Sequence, residues 1–191
     1  MNGVMKIAIR LIIITAVAGL LLGLTYSITK DPIAEQEEKN KTEARQTVMP
    51  EADDFEPIDL ASLKLGDEYS SVQEAYYAVD SGEKIGATVT VVTKGYSSGL
   101  QVTVGISSDG TVSGVNIDAH DETPGLGAKA DNPDYLAQYI GKTAELKVVK
   151  VSGGGDDEIQ ALTGATLTSK GVCRAVNTAC ALYTEILSEG V

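Results

Sequence analysis

The chain has 191 residues, a formal net charge of −12, one Phe and no Trp. That length suits one domain of ordinary size plus an appendage. The acidic balance excludes a nucleic-acid footprint and charge-driven docking on anionic lipid, and so few aromatics leave no stacking platform for bases.

The first clear element is Leu11–Ile28, an uncharged run of 18 residues, LIIITAVAGLLLGLTYSI. It meets the length of a transmembrane helix and exceeds the roughly 7–15-residue apolar region of a signal peptide. Its end, Thr25-Tyr26-Ser27, is a poor cleavage site, and no cysteine follows to carry a lipid. A retained single-pass anchor is the expectation. Lys6 and Arg10 precede the run, whereas Lys30 and Asp31 and then Glu35, Glu37 and Glu38 follow it. The positive-inside rule places the N-terminus in the cytoplasm and the main domain on the far side of the membrane. Pro32 is expected to stop the helix or bend the chain. Ala34–Val48 is highly charged and reads as a solvated helix or stalk that Pro50 ends. Glu51–Leu65 is acidic and mixed, and Ser71–Gly82 is either a short strand or a helical turn. The expected organisation is a tail and transmembrane helix over residues 1–30, a charged stalk or linker over 31–65, and an extracytoplasmic domain over 66–191.

From Ala87 the pattern sharpens. ATVTVVT, LQVTVGI and TVSGVNI are β-branched runs; in the second, Val102, Val104 and Ile106 point one way and Gln101 and Thr103 the other. Asp109-Gly110 is a hairpin signal between the second and third. The expectation is a three-stranded antiparallel meander over Ala87–Ile117 with one buried face. In NPDYLAQYIG, Asn132 caps a short helix with Pro133 at its first position. AELKVVKV reads as another strand and SGGGDDE as a flexible loop. The last segment, Thr168–Leu187, sets Val172, Val176, Ala179, Tyr183 and Ile186 on one helical face to pack on the sheet. The fold class is α+β: one N-terminal transmembrane helix, then a domain with an antiparallel sheet and packed helices. Cys173 and Cys180 lie two helical turns apart, roughly 10 Å, too far for a disulfide in an intact helix and unlike metal-ligand spacings. They read as small core residues.

Two motifs remain. In HDETPGLGAKADNP, His120–Pro133, the Pro124-Gly125 pair marks a turn, and Gly127 permits a second reversal or a close approach. His120, Asp121 and Glu122 are adjacent and do not converge on one ion, so no metal site is expected. The other motif, LTGATLTSKGV, Leu162–Val172, collects four hydroxyls and two glycines at a helix entrance. Thr168 as N-cap with Ser169 in reserve explains two of the hydroxyls. An anion site explains the rest: the helix start favours a phosphate, Gly164 and Ala165 keep the backbone open, and Thr163, Thr166 and Thr168 surround it. This chemistry reaches a phosphate-bearing ligand without naming it.

TGAT followed by LTS resembles the flavinylation motif of FMN-binding domains, in which a flavin transferase moves FMN from FAD onto the last Thr or Ser as a phosphoester. ETPGLG, Glu122–Gly127, is similar to the companion motif of two related proteins. These are the G subunit of the Rnf ion-translocating ferredoxin:NAD oxidoreductase and the C subunit of the Na⁺-pumping NADH:quinone oxidoreductase. Both carry one N-terminal membrane helix and an extracytoplasmic flavin domain. The resemblance covers the anchor and most of Gly95–Leu187, and the compact chain is more similar to the Rnf protein. It implies covalent FMN on Thr166, with Thr163, Gly164 and Ala165 before it and Leu167 and Thr168 after it. Glu122, Thr123, Pro124, Gly125 and Leu126 would form the loop against the flavin. It further implies an electron relay in the cytoplasmic membrane without catalytic residues of its own. Its partners would be the other membrane and peripheral subunits of a Na⁺- or H⁺-translocating complex, and a flavin transferase for maturation. The motif usually has an acidic residue where this chain has Gln160. No His or Lys adjoins Thr166 to activate it, which fits attachment by an external enzyme. The cysteines do not match iron–sulfur spacing. The alternatives are the C subunit of the quinone-reducing complex, a membrane-anchored binding module without flavin, and a non-covalent FMN reductase, for which no substrate constellation is visible.

Overall fold

The computed structural model describes residues 3–63, 65–143, 145–151 and 155–191. The first element, α1, spans Gly3–Val48, and the chain forms two compact units, residues 1–41 and 42–191. In the first unit α1 carries a stretch long and apolar enough to cross a membrane, none of it buried by the rest of the protein. Its hydroxyls are satisfied within the helix: Thr15 Oγ1 donates to Leu11 O (3.0 Å), Thr25 Oγ1 to Leu21 O (2.9 Å) and Thr29 Oγ1 to Thr25 O (2.9 Å). In lipid such internal pairing is the only kind available. Of the two expectations for Pro32, the stop is not met: the helix runs on through it to Val48. The ring removes one backbone donor, but the next turns hold together through the Lys39–Glu35 ion pair (2.8 Å) and the Gln36–Asn40 hydrogen bond (2.8 Å).

The second unit is built on a five-stranded antiparallel sheet in sequence order. Its strands are β1 (Asp54–Pro57), β2 (Val72–Asp80), β3 (Glu83–Lys94), β4 (Ser98–Ser107) and β5 (Val112–Ala119). The expected meander is β3–β5, with Val89 opposite Val104 and Val104 opposite Val115. Ser71–Gly82, undecided from sequence, supplies β2. Asn132 caps α2 (Pro133–Leu136), its side chain accepting from Asp134 N at 2.9 Å. The expected strand in AELKVVKV shortens to β6 (Lys147–Val149), paired in parallel with β7 (Glu158–Gln160). Ala144 and the predicted loop's Ser152–Gly154 lie outside the described residues. The chain then enters α3, Thr166–Leu182, which continues through a wider helical turn over Tyr183–Leu187.

α3 packs on β3 and β4. Val172, Val176, Ala179 and Tyr183 bury the predicted helical face against Val89, Val91, Val102, Val104 and Ile106. The other sheet face receives the end of α1. Gly105 and Gly114 pair in register, and a Cβ on Gly114 would stand 2.8 Å from Val48 Cα. Only this missing bulk lets Val48 sit fully buried with its carbonyl accepting from Ser113 Oγ at 2.7 Å. Arg45 is buried too, 4.1 Å above the Tyr76 ring and 3.6 Å from Glu74. The last turn of α1 is therefore packed, where the charge pattern of Ala34–Val48 reads as solvated throughout.

Cys173 and Cys180 are free and buried. Burial pushes the Cys173 thiol up to about 11 and the Cys180 thiol up to about 12. Alkylation with iodoacetamide at pH 8 should therefore leave both thiols unlabelled in the folded chain and label both in denaturant. Rapid native labelling would show that α3 is not seated as described.

Candidate functional site

Strand β7 delivers the chain to a tight turn in which Ala165 N donates to Leu162 O at 2.9 Å. Gly164, third in that turn, has φ +80°, a left-handed conformation that a side chain would strain. Ser169 locks the turn to the helix: its Oγ accepts from Leu162 N (3.0 Å) and donates to Ala165 O (3.1 Å). The N-cap position of α3 is Ala165, with no side-chain cap. Thr168 is not the cap that the sequence allows; it lies inside the first turn and its Oγ1 donates to Glu122 Oε2 at 2.7 Å. The helix ladder opens with Ser169 N donating to Ala165 O at 3.0 Å, so the N–H groups of Thr166, Leu167 and Thr168 precede any intrahelical partner.

Glu122 gathers the rest. It is 6% exposed, and its Oε1 accepts from Tyr96 N (3.0 Å) and Ser97 N (3.2 Å) while Oε2 takes the Thr168 hydroxyl. A Cβ on Gly95 or on Gly127 would collide with this carboxylate, so both positions must be glycine for the three segments to meet. Beyond Glu122 the chain turns at once: Thr123 O accepts from Leu126 N (3.1 Å) and Ala128 N (3.3 Å), and Gly125 has φ +78°.

Between these loops lies a cleft of about 610 Å³. Glu122, Thr123, Leu126 and Gly127 line it from one side, Gly164–Thr168 from the other, and Tyr96 closes the rim. The two motifs, well separated in the chain, thus face each other across one opening. Tyr96, Leu126 and Leu167 are all exposed there as apolar surface. Pro124 and Gly125 are exposed and shape the turn without lining the cleft, and Thr163 faces a neighbouring cleft of about 480 Å³ with Lys129 and Gln160. Among the described residues the Thr166 hydroxyl makes no hydrogen bond; it is half-buried and opens into the first cleft. The four hydroxyls of the helix entrance therefore divide: Ser169 and Thr168 hold structure, while Thr166 and Thr163 are free for chemistry or solvent. Sequence reasoning missed Tyr96, whose only signal was an aromatic between Gly95 and Gly99 in a strand connection, and the packing role of Gly95.

An FMN-binding domain family model matches residues 95–181, and a model of the RnfG N-terminal region matches residues 2–48. The chain is 40% identical over 190 residues to the G subunit of the Na⁺-translocating ferredoxin:NAD⁺ oxidoreductase complex of Acetobacterium woodii, covering 94% of this chain and 91% of the relative. It is 32% identical over 176 residues to the G subunit of the ion-translocating oxidoreductase complex of Methanosarcina acetivorans, covering 91% of each. Among solved structures, the fold is similar to the C subunit of the Na⁺-translocating NADH-quinone reductase of Parabacteroides distasonis. That match has a TM-score of 0.59 and 21% identity, covering 81% of this chain and 95% of the other.

Replacing Glu122 by Ala removes the shared acceptor of two amides and one buried hydroxyl. Leaving such donors unmatched should lower stability by about 1–3 kcal/mol. Thermal unfolding of the full chain in detergent checks this; an unchanged midpoint would mean that the carboxylate does not hold the loops together.

Proposed function

The chain belongs to the RnfG family of ion-translocating oxidoreductase subunits, and we propose that it is the membrane-anchored electron-transfer subunit of a ferredoxin:NAD⁺ oxidoreductase that moves Na⁺ or H⁺. Its partners are the other subunits of that complex. Its cofactor is FMN, esterified through phosphate to Thr166 by a flavin transferase. The observation that carries the site is the free Thr166 hydroxyl at the uncapped start of α3, opening into the cleft that both motifs line. Identity of 40% and 32% to two G subunits favours this complex over the quinone-reducing alternative, whose support is likeness of fold at 21% identity.

The residues present fit that group. The leading N–H groups of α3 and the helix dipole suit a phosphate at Thr166. Leu126, Leu167 and Tyr96 supply an apolar rim for a planar ring. In the attachment step the Thr166 Oγ–P bond forms, the pyrophosphate P–O bond of FAD breaks, AMP leaves and the hydroxyl proton is lost. No electron is transferred. Bound there, FMN supplies redox chemistry that the side chains of this protein lack. The chain's own contribution is position: Gly164 and Ser169 hold Thr166 at the cleft, and Glu122 sets the width between the loops. The N-terminal positive charges support a cytoplasmic tail and a flavin domain on the opposite side of the membrane. A covalent ester prevents loss of the cofactor there.

The test is a denaturing gel under ultraviolet light on the full chain, co-expressed with a flavin transferase. The wild-type band should fluoresce, and Thr166→Val should remove essentially all of the signal. A Thr166→Val band as bright as wild type would contradict attachment at this residue. A dark wild-type band would move a binding module without flavin to first place.

A further inference from the structure

The cleft has an unusual charge balance for a site that is to hold a phosphate. Among the described residues that line it there is no Lys, Arg or His, and the one ionisable carboxylate, Glu122, is buried. All three contacts of that carboxylate use it as an acceptor: Tyr96 N, Ser97 N and Thr168 Oγ1. This is the pattern of the ionised group. Its three hydrogen bonds hold it in place, with the backbone at Gly95 and Gly127 packed closely against it. The start of α3 contributes about half a positive charge, and Glu122 brings a full negative charge to the same first turn. The carboxylate therefore opposes the dipole and offsets part of the attraction that the helix start offers a phosphate.

We propose that Glu122 sets the ligand specificity of this cleft, disfavouring the phosphate monoester of free FMN and admitting the phosphodiester formed on Thr166. This rests on the reading that the cleft holds FMN esterified at Thr166. A monoester carries about −1.5 to −2 charges at neutral pH, whereas a diester keeps only one ionisable oxygen. Facing a fixed buried anion, the monoester pays the larger repulsion. Attachment itself thus turns a disfavoured ligand into a tolerated one. Free FMN, FAD fragments and inorganic phosphate do not block Thr166 before the transferase reaches it. The covalent bond holds in place a cofactor that the cleft does not retain by affinity alone.

The experiment uses the full chain in detergent, made without a transferase and hence unmodified. Riboflavin, FMN and the methyl phosphodiester of FMN are titrated against wild type and Glu122→Gln, with binding read from flavin fluorescence. Gln keeps the shape of Glu122, accepting from the Tyr96 and Ser97 amides and donating to Thr168. Wild type should bind the diester more tightly than FMN. Glu122→Gln should raise the affinity for FMN about a hundred-fold relative to riboflavin, the effect of removing one charge that acts on a phosphate of about −1.5 to −2 over roughly 10 Å at an effective dielectric constant of about 20. Wild type binding FMN as tightly as the diester would overturn the proposal, as would an unchanged FMN-to-riboflavin ratio in Glu122→Gln. If the variant does not fold, the wild-type comparison of FMN with its diester decides alone. The attachment reading stands or falls separately: a transferase-treated wild-type band that fluoresces, beside an unchanged ratio, sinks only the role of Glu122.

Discussion

The architecture of the site depends on one buried carboxylate. Glu122 joins three segments that are distant in sequence: the turn after β3, its own loop after β5, and the first turn of α3. A buried carboxylate costs several kcal/mol unless its oxygens are satisfied, and here donors from two other segments satisfy it. The same contacts that make its burial tolerable fix the separation of the loops, and that separation is the cleft. Glycine completes the arrangement. At Gly95 and Gly127 the backbone approaches the carboxylate too closely for any side chain.

A similar economy governs the opposite face of the sheet. Paired Gly105 and Gly114 leave a shallow seat that Val48 fills, and the Ser113 hydroxyl satisfies the Val48 carbonyl at the point where α1 runs out of helical partners. One face of β3–β5 thus supports α3 and the cleft, while the other holds the end of α1. The sheet is the rigid element on which a loop-built site becomes well positioned.

Much of this is legible in the residues alone. The alternation of Val102, Val104 and Ile106 marks a strand with one buried face, and the spacing of Val172, Val176, Ala179 and Tyr183 marks the helix that covers it. The Asn132-Pro133 signal locates α2. Strand β2 is illegible because a register irregularity between Ala78 and Val79 breaks its alternation, burying both residues in succession. β1 and β7 are too short to carry a period. At the site, the residue types point to the two motifs, and the family resemblance pairs them. The role of Thr168 cannot be read locally: a hydroxyl at a helix start looks the same whether it caps the helix or bonds a partner 46 residues away. Pro32 follows no simple local rule, because the helix-forming residues after it prevail.

The most direct measurement is peptide mapping of the full chain isolated from membranes of cells that hold a flavin transferase. Trypsin releases Val151–Lys170, a peptide that contains Thr163, Thr166, Thr168 and Ser169. Fragmentation by tandem mass spectrometry should place one FMN adduct on Thr166 and leave Ser152, Thr163, Thr168 and Ser169 unmodified. An adduct on Thr168 or Ser169 would contradict the division of roles among these hydroxyls, and a peptide carrying no adduct would contradict the flavin site itself.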